Sequence, residues 1–382
     1  MKRLLIICLA VLTTISASAV EFLYGGPYVQ AVTEDSAYIV WLTDKPCEGW
    51  VEVKGKGFKK TIFTASKSGI KLTKRNHQIP ITGLSAGHTY EYKVFAKEPK
   101  SGQVISRAVN SKGGKLSFVT RDRNKKEFEF LMVTDIHYNR ANKNEPIFQK
   151  LLTPERLKGK DFVVFDGDMV TTMSGEKWHF DRIFTAATEM FASNMPYYMA
   201  RGNHETRGVV ANRYLEYFPS WTDQPYYAFR HGPVFFIFLD SGEDKPDDDI
   251  EYHGTAAFDE YRRNEGEWLA KVVASEEYKS AKYRIIINHI PLTIRKGSWH
   301  GGRHAYEMFT PYLDNGKTTL MISGHTHRYS YRDLGKDNKT YPTLVFAPKQ
   351  YLDIKVTPEK LTINVHKMDG ELYKTFTYDP IK

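Results

Sequence analysis

Five short apolar runs, each closed by a polar cluster, constrain what this chain can fold into. Phe130-Leu131-Met132-Val133 leads into Asp135-Ile136-His137, and Phe162-Val163-Val164-Phe165 into Gly167-Asp168. Tyr197-Tyr198-Met199-Ala200 leads into Gly202-Asn203-His204-Glu205. Arg284-Ile285-Ile286-Ile287 leads into Asn288-His289, and Thr319-Leu320-Met321-Ile322 into Gly324-His325-Thr326-His327. Runs of this length and richness read as buried strands. Ligands of open α/β sheets bind just beyond the carboxyl ends of the strands. The pattern therefore predicts strands that deliver polar residues to one edge, where they form a common site.

The side chains of these clusters offer oxygen and imidazole nitrogen but no thiolate, a donor set that suits Mn, Fe or Zn. A pair of ions about 3.5–4 Å apart needs a shared ligand and terminal ligands on both sides. Asp135 and His137 stand two apart, as do His325 and His327, so each pair can turn the same way at a strand end. Asp168, on another strand end, can bridge, and Asn203 adds a neutral carbonyl oxygen. Gly167, Gly202 and Gly324 each precede a donor, where a missing Cβ permits tight turns and close backbone approach.

The motifs DxH, GD, GNH[ED], H and GHxH, in this order, resemble those of the calcineurin-like metallophosphoesterases. The resemblance runs from about Glu127 to the C-terminus. It implies a four-layer α-β-β-α domain that binds two divalent or trivalent metal ions. Asp135, His137, Asp168 and His327 would hold one ion, and Asp168, Asn203, His289 and His325 the other. It also implies phosphate-ester hydrolysis by a metal-bridging hydroxide, with His204 protonating the leaving oxygen or stabilising charge on the phosphoryl group. Purple acid phosphatases carry a tyrosine three residues after the bridging aspartate, where this chain has Thr171, and lack the histidine found here at His137. A colourless enzyme is the expectation. The GDxVDRG motif of protein Ser/Thr phosphatases is also missing, because Gly167-Asp168-Met169-Val170-Thr171-Thr172 has neither its second aspartate nor its arginine. Glu205 is expected to hold a loop or a ligand by hydrogen bonding, and Asp166 to stand behind the ligands or accept in a turn.

Ahead of this region, residues 20–120 read as short strands separated by turns. Tyr38-Ile39-Val40-Trp41-Leu42 is a buried strand, and Tyr90-Glu91-Tyr92-Lys93-Val94 alternates with period two. Gly83 to Tyr90 resembles the tyrosine corner of fibronectin type III domains, the kind of sandwich that precedes the catalytic domain in purple acid phosphatases. The expectation is an all-β sandwich of seven strands over 20–120 and a charged linker at Arg121–Lys126. The metallophosphoesterase domain then occupies 127–382. His77 and His88 are expected in surface or turn positions. Within the second domain, Phe180, Ile183, Phe184, Ala187 and Phe191 recur at helical spacing, as do Phe258, Tyr261, Trp268, Leu269 and Val272. The acidic run Glu243–Asp249 reads as a solvated loop.

Lys2 and Arg3, the apolar Leu4–Leu12 and the Ala17-Ser18-Ala19 site form a signal-peptide pattern over residues 1–19. Export to the periplasm or the extracellular space is the expectation. Cleavage would remove Lys2 and Arg3, taking the formal charge from +9 to +7, and would leave Cys47 as the only cysteine. An intrachain disulfide and a Cys-based metal site are then excluded. The sequence shows no membrane span and no arginine-rich or aromatic-interleaved stripe for nucleic acid, so the expected partner is a small phosphorylated substrate. Asn139, Arg303 and His304 are candidate substrate contacts. A phosphomonoesterase is favoured; phosphodiesterase, nucleotidase and phospholipid head-group hydrolase stay open. A non-catalytic binder on the same scaffold is the reading from another class.

Overall fold

The computed structural model describes residues 20–99, 104–107, 114–138, 146–179, 183–252, 254–294, 296–315, 317–335 and 340–381. The expected leader at 1–19 lies outside them. None of the described helices is long and apolar enough to cross a membrane.

The N-terminal region is built of strands. They are β1 (Tyr28–Gln30), β2 (Ser36–Gly55), β3 (Phe58–Phe63), β4 (Ser66–Lys67), β5 (Ile70–Lys71), β6 (Lys74–Thr82), β7 (Thr89–Lys97), β8 (Val104–Arg107) and β9 (Ser117–Val119). The first half of β2 pairs with β1 and β6 and the second half with β3 and β7, with a register break between Leu42 and Cys47. One strand thus joins two layers, as strands do at sandwich corners, and Ile39, Trp41, Val51, Val53, Ile79 and Phe118 pack into one core. Tyr90 is buried, and its hydroxyl accepts a hydrogen bond from the Ser85 backbone N–H at 2.8 Å. The fastening expected from the Gly83–Tyr90 pattern is therefore present.

His77 departs from expectation. It is fully buried, stacked 4.8 Å from the Trp41 ring and 3.0 Å from Thr64 Oγ1. Burial pushes its pKa down to about 4. The period of two in β6 puts it on the core face, and Gly49 opposite leaves room for the ring: a Cβ there would collide with the imidazole.

The second region adds β10 (Phe128–Val133), β11 (Phe162–Asp166), β12 (Tyr197–Ala200), β13 (Tyr227–His231), β14 (Val234–Leu239), β15 (Tyr283–Asn288), β16 (Leu320–Ser323), β17 (Ser330–Arg332), β18 (Thr343–Val345), β19 (Gln350–Val356), β20 (Leu361–Lys367) and β21 (Leu372–Tyr378). They form two six-stranded sheets, ordered β12-β11-β10-β19-β20-β21 and β13-β14-β15-β16-β18-β17. Within them β10, β11 and β12 run parallel, as do β14, β15, β16 and β18. Alternation along the strands creates the layers. Phe130, Met132, Val164, Phe236, Ile285 and Ile287 fill the space between the sheets. Leu131, Val133, Val163 and Phe165 face an outer core with Ile183, Phe184, Ala187 and Phe191. Ile286 and Met321 face the helices Phe258–Ala274 and His300–Leu313 through Leu269 and Phe309. The result is helix, sheet, sheet, helix, the arrangement the resemblance implied.

Two charged segments are more deeply engaged than their sequence suggests. In helix Phe258–Ala274 the buried positions include Arg262 and Glu265, with Arg262 Nε donating to Ser241 O at 2.8 Å. In the acidic run, Glu243 is fully buried and pairs bidentately with Arg207 at 2.5 and 2.9 Å, while Asp247 accepts from the Phe258 and Asp259 N–H groups at the start of that helix. The run is therefore not a solvated loop; pairing compensates its burial. The expected linker is likewise tied down. Arg121 N–H donates to Thr33 O, Arg123 pairs with Glu34, and Lys125 pairs with Asp161. Across the seam between the regions, Tyr28 Oη donates to Tyr217 O at 2.9 Å and Tyr92 Oη to Ser193 O at 2.7 Å.

Candidate metal centre

The carboxyl ends of β10, β11, β12, β15 and β16 converge, and their loops are stitched together by backbone hydrogen bonds. Asp135 N–H donates to Gly167 O at 3.1 Å, His137 N–H to Asp168 O at 2.9 Å, and Gly324 N–H to His289 O at 3.1 Å. Asp135, His137, Asp168, His325 and His327 all have positive φ, between 48° and 65°. Non-glycine residues avoid this region, and where they are held in it the surroundings over-determine them, most often at functional sites. Gly167, with φ 75°, fits the same turn, and a Cβ on it would come within 2.6 Å of His289 Nδ1.

The donors fall into two groups. One donor atom each from Asp135, His137, Asp168 and His327 lie within 4.8 Å of one another, as do atoms from Asp168, His289 and His325. Asp168 belongs to both. Asn203 joins the second group through Oδ1, 3.1 Å from His325 Nδ1. Asp168 Oδ2 lies 3.0 Å from His289 Nε2 and 3.5 Å from His137 Nε2, and His327 Nε2 lies 3.3 Å from Asp135 Oδ1. All seven residues named as ligands from the sequence are thus brought together. Burial opposes ionisation of Asp168, but the charge and hydrogen bond of His289 outweigh it and hold the carboxyl at about 2. Burial likewise opposes charge on Asp135, where hydrogen bonds from His137 and His327 leave the carboxyl far below the usual range.

A surrounding set of groups orients these donors. Glu205, fully buried, accepts from Asp168 N and Gly202 N with Oε2, at 2.9 and 3.0 Å, and from Met169 N and Val170 N with Oε1, at 2.8 and 3.3 Å. It cages the turn that carries Asp168, as expected of it. His289 Nδ1 lies 2.5 Å from the Asp166 carbonyl, which fixes the proton on Nδ1 and turns Nε2 inward. Asp166 acts here through its backbone. His204 Nδ1 lies 2.7 Å from Thr171 O, so Nε2 faces the centre, 4.0 Å from Asp168 Oδ2. Burial lowers the His204 pKa. The Thr171 carbonyl thereby orients this ring, a task that falls to an aspartate in the protein phosphatases. Asp244 Oδ2 stands 3.7 Å from His325 Nε2, a neighbour that nothing in its acidic run advertised.

The substrate candidates are placed differently. His304 turns to Asp259, with Nδ1 3.4 Å from Oδ1, and His300 clasps the same carboxylate at 2.9 Å. Asp259 stands on the neighbouring helix Phe258–Ala274, and both rings face its carboxylate. Arg303 is exposed on helix His300–Leu313 and does not line the groove beside His325, whose walls include Trp299, Gly302, Thr326 and Arg332. Asn139 lies outside the described residues.

The donor arrangement fits metal ions. His289 Nε2 is buried and meets the Asp168 carboxylate at 3.0 Å, and the Nε2 atoms of His137 and His327 approach to 2.8 Å, an unfavourable meeting of lone pairs unless a proton or cation lies between them. Two buried carboxylates beside four imidazoles and an amide oxygen are the ligand chemistry of Mn, Fe or Zn. The profile of the calcineurin-like phosphoesterases matches residues 128–329, and the chain belongs to that family. It is a metal-dependent phosphoric ester hydrolase with a strand-rich N-terminal region. Solved structures of similar fold include the purple acid phosphatase PPD1 from yellow lupin (Lupinus luteus), with TM-score 0.67 and 18% identity over 94% of this chain and 74% of that one. PhoD matches with TM-score 0.62 and 12% identity over 94% of this chain and 90% of that one. A search of curated proteins finds no match.

Proposed function

We propose that the chain is an exported phosphomonoesterase in which two metal ions would share Asp168, with Asp135, His137 and His327 as donors to one and Asn203, His289 and His325 as donors to the other. The observation that carries this reading is the membership of Asp168 in both donor groups. Such ions, when bound, acidify water to hydroxide and neutralise phosphoryl charge. The remaining work falls to the protein. Glu205 fixes the Asp168 turn, and the Thr171 carbonyl keeps the His204 proton on Nδ1 in the neutral ring. Nε2 then faces the centre, where it takes a proton from solvent water and passes it to the leaving oxygen or, while protonated, stabilises charge on the phosphoryl group. Thr171 Oγ1 donates to His137 O at 3.2 Å, and the absence of a tyrosine at this position supports a colourless enzyme.

Preference for monoesters is supported by the likeness of fold to a purple acid phosphatase along 94% of this chain. Export is supported by the basic start, apolar stretch and Ala-x-Ala site of residues 1–19. The test is hydrolysis of p-nitrophenyl phosphate, its bis ester, nucleotides and phospholipid head groups by protein loaded with Mn, Fe or Zn. Faster cleavage of the monoester supports the proposal. Preference for the bis ester, a nucleotide or a head group overturns the monoester assignment, and binding without turnover of any of them favours the non-catalytic reading.

A further inference from the structure

Away from the metal centre, the seam between the N-terminal strands and β12–β13 holds a cleft of about 140 Å³. Its walls are rings: Tyr198, Tyr214, Phe218, Trp221, Tyr227 and Phe229. Their polar ends are largely committed elsewhere. Tyr198 Oη donates to Val32 O at 3.2 Å, Tyr227 Oη to Met199 O at 3.1 Å, and Trp221 Nε1 to Ala31 O at 2.6 Å. Ala31, which also lines the cleft, is held at φ 45°, a strained conformation for alanine of the kind found at ligand clamps.

One charged side chain enters this apolar surround. The Arg121 guanidinium lies 4.1 Å over the Phe229 ring and reaches the Arg230 carbonyl at 3.4 Å, while Nε is buried with no hydrogen-bond partner. Among the described residues no carboxylate forms a salt bridge with Arg121, whereas Arg123 nearby takes both Glu34 and Glu277. A half-buried cation without an ion pair is costly, and a ring face compensates it only in part. The lining contains no histidine, aspartate, glutamate, cysteine or lysine, so it offers recognition without acid–base or metal chemistry.

We propose that this cleft binds a small, singly charged aromatic anion of the aryl carboxylate or sulfonate class, its headgroup on Arg121 and its ring among Phe218, Trp221 and Phe229. A single guanidinium matches a single negative charge, and the ring faces match a flat apolar body.

The test uses the full-length, metal-loaded protein, titrated by calorimetry and Trp fluorescence with three ring-matched probes: 1-naphthalenesulfonate, neutral 1-naphthalenesulfonamide and cationic 1-naphthylmethylamine. The expected result is one sulfonate per chain, bound at least about tenfold more tightly than the sulfonamide, with no binding of the amine. Arg121→Met should remove the advantage of the anion, and Trp221→Ala should weaken sulfonate and sulfonamide alike without changing hydrolysis of p-nitrophenyl phosphate. Should Arg121→Met not fold, the three-probe comparison on the unaltered chain decides. Equal affinity for the three probes, or sulfonate binding that survives Arg121→Met and competes with p-nitrophenyl phosphate, overturns the proposal.

Discussion

His204 shows how much of the centre rests on single atoms. Its Nδ1 is bound to the Thr171 carbonyl and its Nε2 is turned inward. Asn at this position should keep both ions bound yet lower kcat by about 10²–10⁴-fold; metal analysis beside steady-state kinetics checks the split. Glu205→Gln keeps the shape but replaces two of the four acceptor contacts, three to the Asp168 turn and one to Gly202, with a donor. Loss of such outer support typically costs about 10–100-fold in metal affinity or activity, to be read by titrating the apo-protein with Mn or Zn. His77 makes a different prediction, about stability. Its pKa is about 4 in the fold against 6.5 for an ordinary histidine, so between those values the unfolded chain binds a proton that the native state does not. Stability is therefore complete above about pH 6.5 and falls with pH by roughly 3 kcal/mol toward pH 4. Thermal melts of His77→Phe should show a weaker pH dependence over this window than those of the unaltered chain, and parallel curves would contradict the assignment. The seven candidate ligands were legible because side-chain donors leave a motif. The groups that orient them were less so, since the carbonyls of Thr171 and Asp166 have no sequence signature.

The elements carry the ligands through strand ends whose backbone is forced into an unfavoured region. Five of the donor-bearing residues have positive φ, and the turns can hold them only because neighbouring loops bond to one another. Gly167→Ala should therefore perturb the site more than the fold. Its new methyl group would press on the His289 ring. A drop in metal affinity of at least about tenfold, with Tm changed by only a few degrees, is the expected outcome of parallel metal titration and calorimetry. All five strands were visible as apolar runs, because parallel strands buried on both faces need no alternation with polar residues. The helix Phe258–Ala274 was visible too, but its inward face was read from aromatics alone. Arg262 is buried there against Ser241 O and Asp259, and Glu265 accepts the Asp240 N–H with one of its two oxygens; partners that lie outside the helix's own periodicity cannot be read from helical spacing.

For the whole molecule, the outer core does not stop at the sequence boundary between the regions. Tyr28, Val40 and Leu42 from the N-terminal strands share one cluster with Val133, Phe184 and Tyr217. A chain beginning at residue 121 would expose that surface, so it should aggregate or melt well below the intact protein, which should itself unfold in one transition by calorimetry. The charge of Arg121–Lys126 suggested a linker between independent units; pairing with Glu34 and Asp161 makes it part of the joint instead. The account as a whole stands on Asp168 serving both donor groups. Metal analysis of purified protein and its Asp168→Ala variant, with p-nitrophenyl phosphate hydrolysis measured on the same samples, tests that most directly. About two ions per chain, with metal and activity lost together in the variant, is the predicted result. A variant that keeps both ions and its turnover would contradict it.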